Sequence, residues 1–172
     1  ISSGNMLVRI TSQSNPNFQS TSDANFKVGD IDLTQPSGNQ TFFAGSTIPI
    51  SWDATSSISN VRIQYSTDGG NNFLTIDNAV NALSGTYNWT IPSDISTNSG
   101  KVRVSDSFGP GIDDTTETTF SISNLRVVSP NGNEGFNIGS TQSIRWTSSN
   151  LDSVSISYSI DGGTSWNIIE DA

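Results

Sequence analysis

The chain has 172 residues, of which 32% are hydrophobic and 13% charged, and it carries a formal charge of −9. With so few Lys and Arg to displace counterions, nucleic acid and anionic membrane surfaces are poor partners, and no apolar run is long enough to insert directly into a membrane. There is neither Cys nor His, which removes disulfides and the usual ligands of zinc, copper, haem and iron–sulfur groups.

In chain order, Val8-Arg9-Ile10 and Phe26 read as strand pieces, and an entry strand follows near Leu33. Pro36-Ser37-Gly38-Asn39 is a turn. Ile48, Ile50 and Trp52 then alternate with polar neighbours, as do Val61, Ile63 and Tyr65, a period of two that gives each strand one dry and one wet face. Pro49 has no N–H for a ladder, so its strand is at an edge or its nitrogen faces outward. Asp68-Gly69-Gly70 reads as a hairpin turn, because Gly accepts positive φ and Asp can bond the backbone that follows it. Beyond it come residues 73–76, then Tyr87, Trp89 and Ile91, then Val102 and Val104, then Phe120 and Ile122. About seven strands in about 94 residues is the count of an immunoglobulin-type antiparallel sandwich. The expected fold is therefore all-β, built of tandem immunoglobulin-like antiparallel β-sandwiches.

The tandem element comes from self-similarity. Trp52 and Trp146 are 94 positions apart, and the same offset places Pro36 on Pro130, Gly45-Ser46-Thr47 on Gly139-Ser140-Thr141, and Val8-Arg9-Ile10 on Val102-Arg103-Val104. After a one-residue deletion the offset is 93, and Tyr65 with Asp68-Gly69-Gly70 falls on Tyr158 with Asp161-Gly162-Gly163. A unit of this length is a small domain rather than a solenoid turn. The division is residues 1–31 as the C-terminal part of one unit, 32–125 as a complete unit, and 126–172 as the N-terminal part of another. Ile1 matches Ile95 and Ala172 matches Ala79, so the two partial units together lack the counterpart of residues 80–94. Either the residues are an excerpt of a longer array, or the tail of one copy and the head of the next complete a domain between chains. The junctions are short and poor in Pro, which makes a semi-stiff rod the expected shape.

The pattern Pro130-x-Gly132, Phe136, Gly139-Ser140-Thr141, Ile144-x-Trp146, Tyr158 and Asp161-Gly162-Gly163-x-x-Trp166, repeated in the middle unit with Phe73 in place of the last Trp, carries a resemblance. It resembles the immunoglobulin-like domain repeated in bacterial surface and secreted proteins, grouped with the N-terminal domain of fungal cell-wall glucan-synthesis proteins and the Ser-Thr-rich anchored membrane family. The resemblance implies an extracellular or cell-surface, modular, non-catalytic domain.

Four constellations have functional readings. Ser159-x-Asp161-x-Gly163-x-x-Trp166 fits the Asp-box of sialidase propellers, but it recurs once per domain rather than once per blade, which favours a structural hairpin. Trp52, Trp146, Trp89 and Trp166 are candidate sugar-stacking platforms; the first three share a face with Ile or Tyr, which favours the core, and the core is the expectation for Trp166 and its counterpart Phe73 as well. Asp106, Asp113, Asp114 and Glu117 are candidate Ca²⁺ ligands, as are Asp30 and Asp32, yet no other copy preserves either group, so a solvated acidic face is favoured and no resident cofactor is expected. The sequons Asn39-Gln40-Thr41 and Asn88-Trp89-Thr90, with Thr115 and Ser153 in bacterial O-glycan contexts, are candidate glycosylation sites. The reading is a non-catalytic structural repeat of a stalk, adhesin segment or filament, whose partners are adjacent repeats of the same or neighbouring chains and surface or matrix glycans. The alternative is a carbohydrate-binding accessory module of a secreted glycan-active enzyme.

Overall fold

The structure, a computed structural model, describes residues 1–109 and 111–171, with the backbone alone for Glu170 and Asp171. Ala172, paired with Ala79 by the sequence offset, lies outside the described residues.

The middle unit is a β-sandwich. One sheet holds β5 (Ile31–Gln35), β7 (Thr47–Ala54) and β10 (Thr86–Thr90) in the order β10-β7-β5. Opposite it lie β8 (Asn60–Ser66), β9 (Leu74–Asn81), β11 (Thr97–Asp106) and β13 (Phe120–Ser129), in the order β13-β11-β8-β9. Two short strands complete this sheet: β12 (Asp113–Thr115) pairs with β11, and β6 (Thr41–Phe43) pairs in parallel with β13. The inward residues of the period-two pattern meet in one core, with Ile48, Ile50, Trp52 and Trp89 from the first sheet against Val61, Ile63, Val102, Val104, Phe120 and Ile122 from the second. Trp52 is 2% exposed, and its Nε1 donates to the Ala82 carbonyl at 2.9 Å, so the indole's polar edge is satisfied inside the core. Gly100 makes room for Phe120, since a Cβ there would stand 2.4 Å from the ring. β5 pairs with β7 only from Ser51 onward, so Pro49 meets a neighbouring strand on the β10 side alone and its missing N–H interrupts no ladder.

The flanking segments repeat this pairing at the offsets seen in the sequence. At the start of the chain β1 (Ser3–Met6) pairs with β4 (Phe26–Val28), and β2 (Arg9–Thr11) with β3 (Gln19–Thr21). Their registers, Ser3↔Val28, Met6↔Phe26 and Ile10↔Ser20, are those of Thr97↔Ile122, Gly100↔Phe120 and Val104↔Asp114 displaced by 94. At the other end β14 (Arg145–Ser149) pairs with β13, and β15 (Ser155–Tyr158) with β16 (Asn167–Asp171). Val127↔Trp146 corresponds to Leu33↔Trp52, and Tyr158↔Asn167 to Tyr65↔Leu74, with the irregularities in the ladders at equivalent places.

Two boundaries sit differently from the sequence division. Ile31 is buried in the middle core, so that unit begins one residue earlier than 32. β13 runs unbroken across the line between residues 125 and 126: residues 121–123 pair with β6 and residues 124–129 with β14, so one strand serves two units.

Candidate functional site

The Asp-Gly-Gly turns are closed polar networks. Ser66 Oγ donates to Asp68 Oδ1 at 2.7 Å and accepts from the Gly70 N–H at 2.9 Å, while the Asn72 N–H and side-chain amide donate to the two Asp68 carboxylate oxygens at 2.9 and 2.7 Å. Ser159, Asp161, Gly163 and Ser165 build the same network, with Ser165 Oγ donating to Asp161 at 2.6 Å. Gly69, Gly70, Gly162 and Gly163 all have positive φ, the conformation for which these turns need glycine. Donors aimed at the ionised carboxylate lower the pKa of Asp68 to about 2, chiefly through Ser66, and that of Asp161 to about 2, chiefly through Ser165. Carboxylates held ionised with most of their lone pairs occupied are structural staples.

The acidic residues proposed from the sequence are not brought together as a cage. Asp106, 2% exposed, receives Lys27 Nζ at 2.6 Å and the Phe108 N–H at 3.1 Å. Asp114 accepts from the Leu33 N–H at 2.7 Å and from the Thr115 N–H at 2.7 Å. Asp113 and Glu117 point to solvent, and among the described residues no three Asp or Glu converge on a point where an ion could sit. Of the glycosylation candidates, Asn39, Asn88 and Ser153 are exposed and Thr115 is half-buried on β12.

Trp52 and Trp89 are buried, and the Trp89 ring lies 5.1 Å from that of Tyr65 across the sandwich. Trp146 departs from the expected core position. It occupies the strand position of Trp52 but is 40% exposed: β15 and β16, the counterparts of β8 and β9, line a groove with it, but among the described residues nothing in this unit takes the places of β11 and the first half of β13. Trp166 departs from the expected core position as well, being 62% exposed, and Tyr158 is exposed too. Phe73, at the position of Trp166, carries the Arg103 guanidinium 4.0 Å from its ring centroid, and Arg103 also donates to Gln64.

Sequence reasoning missed the residues that fasten one unit to the next. At the first junction Lys27 of β4 reaches Asp106, Ser57 Oγ donates to the Val28 carbonyl at 3.0 Å, and the Asp30 N–H donates to Thr55 Oγ1 at 3.0 Å. At the second, Asn150, held at φ +58°, donates its side-chain amide to the Ile122 carbonyl at 2.9 Å, while its own carbonyl accepts from Ser123 Oγ at 2.9 Å. By the offset of 93 Asn150 stands at the position of Ser57, and by 94 Ile122 stands at that of Val28, so the same fastening occurs twice with different side chains. Lys27 and Asp106 have Ser121 and Ser12 at their offset positions, so that ion pair belongs to one junction and no periodicity announces it.

No family model, no curated protein and no solved structure matches the chain. Among the described residues no helix is long and apolar enough to cross a membrane.

Proposed function

We propose that this chain is a non-catalytic structural segment of a large surface or secreted protein, in which immunoglobulin-like sandwich units stand in tandem as a stalk, adhesin segment or filament. The observation that carries this reading is the fastening of unit to unit. A stalk holds a tip at a distance only if neighbouring units do not swing freely, and here β13 belongs to two units while side chains clamp both junctions. The negative charge keeps extended units apart from anionic surfaces, and a cysteine-free core keeps its stability whatever the redox state outside a cell. The adjacent units themselves are the first partners.

Small-angle scattering on the whole chain tests the stiffness. The expected result is one narrow distribution of long dimensions, broadened when Lys27→Met, Ser57→Ala and Asn150→Ala are combined; a wild-type chain that already scatters as loosely tethered beads overturns it. Antibodies against the chain test location: labelling of intact cells of the producing organism is expected, and labelling only after permeabilisation overturns it. The exposed Trp166 and Tyr158 favour a second reading, a carbohydrate-binding module, which predicts glycan-array binding that Trp166→Ala abolishes.

A further inference from the structure

We infer that the middle unit carries tension along the chain, and that the pair formed by β6 and the first half of β13 is the clamp that holds when the unit is pulled. Tension passing along the chain enters this unit at Ile31, the first residue of β5, and leaves it along β13, which continues unbroken into the ladder with β14. β6 follows β5 in the chain, so the entering and leaving segments of the unit are hydrogen-bonded directly to each other. They run in parallel, with Ser121↔Thr41, Ile122↔Phe42 and Ser123↔Phe43.

That orientation decides how the pair fails. In a parallel pair the start of one strand and the end of the other lie at opposite ends of the ladder, so a pull on both slides the strands past each other and loads every rung at once. In an antiparallel pair the same two points would share one end, and the rungs would open one after another. Among the described residues every other ladder of this unit is antiparallel, so the fold departs from that rule only where tension enters and leaves. Upstream, β5 is held on β7 and by its Leu33 N–H, which donates to Asp114 at 2.7 Å. Once β5 peels away, the pull falls on β6.

The rungs reach beyond the strand pairs at both ends. The Asn39 N–H donates to the Thr119 carbonyl at 2.8 Å, the Ser121 N–H to the Gln40 carbonyl at 2.8 Å, and the Ala44 N–H to the Ser123 carbonyl at 2.9 Å. Beneath them the Phe42 and Phe120 rings meet edge to face, 5.4 Å between centroids, and Phe120, Ile122 and Ser123 are buried. Water therefore has no path from the core side to replace a rung, and each bond keeps the strength of a low-dielectric site. The other edge of β13 is fixed to β11 through Thr97↔Ile122 and Gly100↔Phe120, and the Asn150 side-chain amide donates to the Ile122 carbonyl at 2.9 Å. With the leaving strand anchored on that side, slip under tension is confined to β6.

Tension reaches the unit only in a stalk, tether or filament, so the use of the clamp rests on the structural reading proposed above; the clamp itself is tested on the chain alone, and its failure leaves the scattering and labelling tests untouched. The chain has no native Cys, so handles can be placed on introduced ones and the full-length protein held under constant force. With Asp30→Cys and Arg126→Cys the pull runs end to end and shears the pair, whereas with Phe43→Cys and Arg126→Cys both handles sit at the same end of it and unzip it; all three side chains are exposed. At one and the same force the sheared unit should outlast the unzipped one. A second variant removes a single rung. The Ser46 N–H donates to the Phe43 carbonyl at 3.1 Å and Gly45 has φ +83°, so residues 43–46 form a type II turn with Ala44 at the position where proline fits. Ala44→Pro deletes the donor to Ser123 and should shorten the lifetime under end-to-end force roughly fivefold. Its thermal midpoint should stay near that of the native chain, because the stiffer unfolded chain offsets the lost bond. Equal lifetimes in the two pulling directions overturn the inference. So does an Ala44→Pro chain that lasts as long as the native one under force, or one whose thermal midpoint falls in step with its lifetime, which would make that rung a general support of the fold.

Discussion

Replacing Trp52 by Ala tests whether the middle sandwich is held as its geometry implies. The indole is 2% exposed and packs within the core cluster, so truncation leaves a cavity that the surrounding sheets can only partly collapse into. Trp→Ala changes in such sites cost about 3 to 5 kcal/mol. Here the Ala82 carbonyl also loses its donor, adding about 1 to 3 kcal/mol unless water enters to replace it. Against a domain stability of about 5 to 15 kcal/mol, the substitution should bring the unit close to unfolding. At about 4 to 8 °C per kcal/mol for a domain of this size, the melting temperature should fall by at least about 12 °C. Calorimetry at low protein concentration reads the transition of the middle unit. Trp146→Ala is the internal control: its indole is 40% exposed, and its loss should cost less than about 1 kcal/mol. Equal losses for the two, or a drop of only a few degrees for Trp52→Ala, would refute the argument that burial, and not the repeated position, sets the energy.

Lys27→Met removes the partner of a carboxylate that is 1% exposed while leaving the carboxylate in place, and should destabilise the chain by about 2 kcal/mol. That is less than a fully buried pair loses, because the lysine is itself a quarter exposed; urea denaturation of the single variants and the Lys27→Met/Asp106→Asn double variant reads it, and additive losses would sink the pairing argument. Gly100→Ala drives a methyl into the Phe120 ring and should cost about 1 to 3 kcal/mol, with Phe120→Leu in the same chain recovering part of it; a neutral Gly100→Ala would contradict the packing. For Asp68 and Asp161 the folded pKa is depressed, so their stabilising contribution is present above the unfolded value near 4 and is lost as pH falls toward about 2. Side-chain carboxyl NMR titration should place both midpoints near 2, and midpoints near 4 would mean the turn networks do not form in solution. Calorimetric titration with Ca²⁺ should give no tight binding; binding that Asp113→Ala abolishes would restore the calcium reading.

How far the sequence carries depends on whether the deciding contact lies inside one period. Strand positions, the hairpin turns and the inward residues of β7, β8 and β11 follow from local alternation and glycine placement, so they were legible together with the 94-residue offset. Trp146 was legible as a strand residue and illegible as an exposed one, since burial depends on whether a second sheet covers it. Asp106 illustrates the opposite failure. An aspartate close in sequence to Asp113 and Asp114 resembles part of a calcium loop, but Lys27, 79 positions earlier, turns it into half of a junction clamp. No pattern along the chain links those two residues, because the pair forms only where one unit meets the next.

That same distinction explains why the boundary at residue 125 could be drawn in the sequence and yet cuts a strand in the fold. A repeat unit in sequence is defined up to an arbitrary starting point, whereas a domain is defined by which faces are covered. β13 satisfies both units at once: Phe120 and Ile122 close the middle core, and Val127 pairs with Trp146 in the next sheet. Turning one unit against the other about residue 125 would therefore strain both ladders of β13 at once, which is why the line drawn in the sequence is not a hinge in the fold.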